Sequence, residues 1–533
     1  MSPIQRLQAR PGVLTISGSA GRWLGAGAGA AFAIAVATAT GASSSNSIRA
    51  PLMVGVAVLA LPAAWFLLTS ERLGLTLGFF MVYLGCLDGV VKLESGSSLG
   101  TLGRDIVLWA ICAGALIRLI ARRQPVEHPP ATGLVLLWVA VILVQIPNPG
   151  GVSLTHSVIS VRPDLEFVPL FFIGYAFMRS QEHLDGFLVL LLILAAINGL
   201  VSLIQYNLTP QQLASWGPGY SIIELGGTGA GINLPGGFTY FAQGASHVRP
   251  LGLGGFPGFA GTLAVLATPA GLALLMRPLP RFPRPLVILL LGFTLVGAVT
   301  SQSRTAVLGT IIVMLAYAML TARSGRVIGT IALVAVVGAA GYGVGSALLG
   351  SGANRYATLA PGKIVGTVAT YKDATYALIP VYLVQHPLGA GLGLVGPAAG
   401  STVGGNIPAS DNYDAETEFT YLIIEGGIPA LGVIFAVFWW VVRAGLRLRR
   451  AVRDDRTRAS LMAMLAVFPF LIAGWFFGVN TNTSPAAPFL WLVMGTFGYW
   501  LSRQSASADR GSLPRLTRRL SLQADPGAAR DKS

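Results

Sequence analysis

Long apolar runs separated by short basic clusters recur along this 533-residue chain, and a chain so patterned has few places to fold except a bilayer. Runs long enough to span fall at Leu24–Ala42, Pro51–Thr69, Leu73–Val90, Ile106–Ile120, Ala131–Pro147, Leu165–Met178 and Gly186–Tyr206. They continue at Leu253–Met276, Leu286–Thr300, Thr305–Thr321, Val327–Leu349, Phe419–Val442, Ser460–Val479 and Ala486–Leu501. Only 11% of the residues are charged, whereas a soluble chain carries about 25%, because charge keeps its surface wet. The solvent for most of this surface is therefore lipid. The 67 glycines follow no Gly-X-Y period and suit close approach of helices inside a membrane.

A net charge of +15 would suit nucleic acid, but its distribution argues against that partner. The basic residues lie between apolar runs, at Arg118, Arg122 and Arg123, at Arg277, Arg281 and Arg284, at Arg323 and Arg326, and from Arg443 to Arg458. That is the pattern of cytoplasmic loops. Placing these clusters inside makes the loops alternate and puts both termini in the cytoplasm. Residues 1–22 then form a basic cytoplasmic segment, 23–502 the membrane domain and 503–533 a basic tail of disordered type. The outer face receives two long stretches, 207–252 and 351–418, both rich in Gly, Pro, Thr and Asn, which predict ordered loops rather than linkers. Two cysteines, Cys86 and Cys112, can build neither a disulfide framework nor a zinc site. No signal-peptide core with a cleavage site precedes the first run, which is read as a retained span. Walker A, zinc-protease and Gly-x-Ser-x-Gly motifs are missing, so ATP-driven transport and those hydrolase classes lose support.

Candidate functional residues crowd the outer face. Arg304, in Ser303-Arg304-Thr305-Ala306, stands at the outer mouth of a span, either snorkelling or gripping a phosphate-bearing ligand. The second long loop carries Arg355, Lys363 and Lys372, then His386-Pro387-Leu388-Gly389-Ala390-Gly391-Leu392-Gly393. Glycine spacing there is wrong for a dinucleotide fingerprint, and a tight re-entrant turn is expected instead. Asp411, Asp414, Glu416 and Glu418 cluster just before a span, where nearby cations can tune a carboxylate as general base. Asp88 and Asn198 lie inside spans and are read as bonding between helices.

Together these stretches resemble the O-antigen ligase/polymerase superfamily. Val161-Arg162-Pro163, Arg249-Pro250-Leu251-Gly252 with Pro257, Ser303-Arg304-Thr305-Ala306 and the His386–Gly393 stretch match that family's motifs in order and spacing. Lys372 stands where family ligases have a second arginine, and Glu416 where they have a histidine. The Glu-x-Glu-aromatic pattern at 416–419 is more similar to exopolysaccharide polymerase branches. The resemblance implies a GT-C-like, inverting and metal-independent glycosyltransferase, without a cofactor, on the outer face of the cytoplasmic membrane. Its donor would be a glycan on undecaprenyl pyrophosphate, and its acceptor a glycan or a lipid. Glu416, Glu418 and Arg304 would be catalytic, with Arg304, Lys372, Arg249 and Arg355 binding pyrophosphate or glycan.

The fold class expected is an all-α polytopic membrane protein with about 12–14 transmembrane helices. A flippase for lipid-linked oligosaccharides, or another secondary transporter, is the alternative; it should show internal repeats and charges at the membrane midplane. A non-catalytic scaffold for glycan assembly is a third. Orientation has a direct test. Cysteines at Thr228 or Ser401 should react with a membrane-impermeant thiol reagent in intact cells, and one at Arg450 should not. Labelling confined to Arg450 would invert the outward assignment.

Overall fold

A computed structural model describes residues 73–95, 99–121, 128–151, 153–220, 239–242, 245–280, 282–321, 356, 361–395, 417–478 and 483–512. Among the described residues the protein is mostly helical, at 78%. Among the described residues six helices are long and apolar enough to cross a membrane: Gly74–Glu94, Gln181–Tyr206, Phe259–Met276, Arg304–Thr321, Glu418–Ala451 and Asp455–Gly474. The expected spans Leu24–Ala42, Pro51–Thr69 and Val327–Leu349 lie outside the described residues.

In chain order, α1 (Leu73–Val82) passes through a π-helical turn (Tyr83–Leu87) into α2 (Asp88–Ser95), followed by α3 (Leu99–Ala121), α4 (Thr132–Val144), α5 (Leu154–Leu165) and α6 (Pro169–Phe177). Next come α7 (Gln181–Tyr206), the short α8 (Pro210–Ala214) and a hairpin of β1 (Thr239–Ala242) with β2 (Ala245–Val248). Helices α9 (Phe259–Met276), α10 (Arg284–Thr300), α11 (Arg304–Thr321) and α12 (Pro361–Gln385) follow. The last are α13 (Glu418–Ala451), α14 (Asp455–Leu465), α15 (Phe468–Gly474) and α16 (Ala486–Ser512). Helices α7, α9 and α10 pack on one another, and α16 packs on α6 and α13. The α7–α10 crossing is backbone against backbone, since a Cβ on Gly199 would lie 1.9 Å from the Phe293 carbonyl oxygen. Small residues at such crossings are the membrane alternative to a hydrophobic driving force.

Large apolar side chains are exposed and several polar ones are buried, beside a core that is itself apolar. Val144, Trp439 and Val384 are largely exposed, while Asn198, Ser202 and Gln205 are fully buried. Lipid accepts the first set, and the second must find partners within the protein. Asn198 does so by donating to the Gly85 carbonyl in the π-helical turn at 2.7 Å and by accepting from the Leu253 amide at 2.8 Å. Gln205 accepts from the Leu251 and Gly252 amides and donates to the Gly252 carbonyl. Asn198 therefore bonds between helices, as read from the sequence.

Several expected loops are structured. The stretch 351–418 contains α12, and 207–252 contains α8 and the hairpin, so the chain is not wholly helical. Lys92 lies in α2, and Arg104 and Asp105 lie in α3. The expected span Leu165–Met178 is instead the end of α5, a turn at Glu166, and α6. Glycine-rich or charge-bearing segments read as loops because composition registers their polarity but not their buried partners.

Helix α13 is 34 residues long, about 51 Å if straight, against a hydrocarbon core of about 30 Å. It is broken at Gly427 (φ 66°, ψ −162°), two residues before Pro429. The helical bond from the Ile428 amide to the Ile424 carbonyl is absent there. The Ile428 amide donates instead to the Pro387 carbonyl at 2.9 Å, and the Ile424 carbonyl accepts from the Ala390 amide at 2.6 Å. Gly427 is required twice over: its φ is positive, and a Cβ would lie 2.4 Å from the Gly389 nitrogen. Gly427→Ala should lower stability by about 1–3 kcal/mol or more, read as a lower thermal midpoint in detergent. Gly432→Ala, with open space around it, should leave the midpoint unchanged or slightly raised.

Candidate functional site

The turn that fills the broken helix is caged from three sides. Gly389, Gly391 and Gly393 all have positive φ (91°, 120° and 83°), so the alternating glycines of the His386–Gly393 stretch form the tight turn expected of them. Gln145, just beyond α4, donates to the Leu388 carbonyl at 2.7 Å, and Asn148 donates to the Gly389 carbonyl at 3.0 Å. From α5, His156 Nε2 lies 3.0 Å from the Gly393 carbonyl oxygen. From α13, Glu425 Oε1 accepts from the Gly393 and Val395 amides at 3.0 and 3.4 Å. His386 itself ends α12, its amide donating to the Tyr382 carbonyl and its carbonyl accepting from the Gly389 amide.

Helix α5 presents His156, Ser160 and Asp164 inward at four-residue spacing, while Leu154, Val158 and Ile159 face outward. That spacing places the polar residues on one face. Asp164 accepts from the Tyr421 hydroxyl at 2.9 Å, and Trp138 donates to the Asp164 carbonyl at 3.2 Å.

Beside this face lies an ion network. Arg104 forks onto Glu166, with Nε 2.5 Å from Oε1 and Nη2 2.6 Å from Oε2. Its Nη1 lies 3.5 Å from Asp88 Oδ2, and its guanidinium sits 5.2 Å from the Phe167 ring centroid. Arg162 reaches Asp105 Oδ2 at 2.6 Å and Glu166 Oε2 at 3.8 Å. The network joins α2, α3, α5 and the turn before α6, and it confirms Asp88 as an interhelical partner. Three of its members were invisible as a set in the sequence, because Arg104, Glu166 and Asp88 lie in separate runs. The one available signal was an ionisable residue inside an apolar segment.

The segments carrying the predicted site residues converge elsewhere, around the turn that follows α15. Arg304 is the first residue of α11, and the neighbouring Thr305 lines one small cleft with Phe470, Ala473, Gly474 and Phe477. Glu418, fully buried, is the first residue of α13, capped by Thr417, and its amide donates to the Trp475 carbonyl at 3.1 Å. Tyr376, one turn after Lys372 on α12, donates to the Phe476 carbonyl at 2.7 Å. The loop that follows Arg249 also closes on this region. Its Gly258 amide donates to the Pro250 carbonyl, and a Cβ on Gly258 would meet Ser303 at 3.6 Å. Tyr356 donates to the Val299 carbonyl at 2.5 Å, docking onto the last turn of α10. Arg355 and Glu416 lie outside the described residues.

The charged groups these helix starts carry are one cation, Arg304 on α11, and one carboxylate, Glu418 on α13. Arg304 at the start of α11 adds its charge to the positive end of a helix dipole, an arrangement suited to anions. Among the described residues no group of three or more His, Cys, Asp or Glu could hold a metal ion.

The Arg104 fork should dominate the stability of its neighbourhood. Arg104→Met leaves the buried Glu166 with only the more distant Arg162 as its cation and should cost roughly 3–5 kcal/mol. Adding Glu166→Met should recover part of that loss, a coupling readable from thermal midpoints of the two single variants and the double. Additive losses would mean that the pair does not act as a unit. Set against models of known protein families and against curated proteins, the chain matches none.

Proposed function

We propose that the protein is a membrane glycosyltransferase of the O-antigen ligase/polymerase kind, GT-C-like, with about 12–14 spans. It would act on the outer face of the cytoplasmic membrane with both termini inside, and the exopolysaccharide polymerase branch fits its Glu-x-Glu-aromatic pattern best. The observation that carries this reading is the gathering around Trp475–Phe477 of the start of α11 with Arg304, the start of α13 with Glu418, and α12 with Lys372. A cation and a carboxylate on two converging helix starts, with a second cation on a third helix, are what transfer from a lipid pyrophosphate requires.

In the proposed step the acceptor hydroxyl attacks the anomeric carbon of the donor from the face opposite the pyrophosphate. The bond from that carbon to the pyrophosphate oxygen breaks, undecaprenyl pyrophosphate departs with the electron pair, and the configuration inverts. A carboxylate takes the hydroxyl proton as general base. Glu416 holds the register position for that role, and Glu418 stands two residues on as the second candidate. Arg304 stabilises charge growing on the leaving group, with Lys372, Arg249 and Arg355 binding pyrophosphate or glycan. No cofactor or metal takes part in this scheme.

Secondary transport of a lipid-linked oligosaccharide is the competing reading, and the Arg104–Glu166–Asp88 network buried between helices is what favours it. Reconstitution with a lipid-linked donor separates the two, because a transferase yields longer or newly attached glycan and a transporter yields only translocated donor. In that assay Arg304→Ala should lower transfer about 100-fold or more, at normal protein abundance, with poor rescue by Arg304→Lys. Glu416→Gln should lose nearly all transfer and Glu418→Gln part of it; Lys372→Arg should be tolerated. Full turnover in Arg304→Ala would leave that residue as a snorkelling anchor, and full turnover in both glutamine variants would remove the carboxylate base.

A further inference from the structure

The contact between α5 and α13 poses a proton-counting problem. The Tyr421 oxygen lies 2.9 Å from Asp164 Oδ1 and 3.2 Å from Glu425 Oε2. All three side chains are at least nine-tenths buried, with residue exposures of 2%, 4% and 2% for Tyr421, Asp164 and Glu425. A phenol has one proton to donate, so it cannot serve two carboxylates at once. Two ionised carboxylates converging on one phenol oxygen would leave a repulsive lone-pair contact in a water-poor interior. Among the described residues no Lys or Arg forms an ion pair with Glu425. Among the described residues, the other titratable groups near the site are His156, which lies against the Gly393 carbonyl, Glu418 at the start of α13, and Arg162 and Glu166, neighbours of Asp164 in sequence.

We infer that Asp164 and Glu425 share a single proton across Tyr421, and that this acid–carboxylate pair seats the His386–Val395 turn in the broken helix. The arrangement satisfying these contacts is directional. The Tyr421 hydroxyl donates to Asp164, the shorter contact, and the Glu425 acid O–H donates to the phenol oxygen. Glu425 Oε1, as the carbonyl oxygen of a neutral acid, then accepts from the Gly393 and Val395 amides. The proton belongs to the coupled pair rather than to either residue alone. Glu425 is in this account a positioning residue, holding the turn without touching a reacting atom. The inference does not depend on the transferase reading, and its tests need no activity.

Infrared difference spectra of the purified protein, wild type minus Glu425→Gln, read the proton directly. At about pH 8, where exposed carboxylates are ionised, the wild type should show a protonated-carboxyl C=O band that the glutamine variant lacks. No such difference band would overturn the shared proton. An amide reproduces every bond assigned to the neutral acid, so Glu425→Gln should fold and keep exchange at the Gly393 and Val395 amides within about twofold of wild type. Failure of that variant to fold would also overturn the proposal. Glu425→Ala, which loses both amide acceptors, should speed exchange at those amides by about tenfold or more; unchanged exchange would show that the pair does not seat the turn.

Discussion

Inside hydrocarbon a backbone amide or carbonyl without a partner costs several kcal/mol, and the break in α13 opens one of each. The Ile428 amide and the Ile424 carbonyl would bond to one another in a continuous helix. Here each is satisfied by the His386–Gly393 turn, through Pro387 and Ala390. One helical bond is thus exchanged for two tertiary ones, which fix the turn in the break. Gln145, Asn148, His156 and Glu425 then hold the remaining polar groups of the turn. Four elements from distant parts of the chain are registered to one another by that docking.

The break also decides where the start of α13 points. A straight helix of this length would overrun the membrane, so the nine residues before Gly427 are free to take a different direction from the rest. They carry Glu418 to the turn after α15, where α11 and α12 also arrive. The proposed catalytic geometry therefore depends on a kink some nine residues away from the candidate base. On the opposite side, Tyr421 and Asp164 tie the same short segment to α5, and α5 to the Arg104 network. The site region and the buried ion network are mechanically one body through α5 and α13.

Part of this was legible from residue order. Ser303-Arg304-Thr305 before an apolar run marks a helix start with a cation on it, and α11 begins at Arg304. Alternating glycines after His386 mark a tight turn, and three of them adopt positive φ. Nothing in the residue order singles out Glu425 or Asp164. Their partnership through Tyr421 joins residues more than 250 positions apart. No periodicity records such a pairing. Arg104 and Glu166 escaped notice for the same reason, and α12 reads as part of a loop because polar, glycine-rich composition looks alike whether its partners are water or protein.

The sequence by itself determined the solvent. Its apolar runs and scarce charge make burial in lipid the way to satisfy so much hydrocarbon surface. Tertiary structure alone decided which polar groups meet inside. Each buried carboxyl, amide or guanidinium must find a partner once water is gone, but several partners are chemically equivalent on paper. Only the packing of helices, fixed by the Gly199 crossing and by the docking of a glycine turn into a broken helix, brings one particular partner within bonding distance.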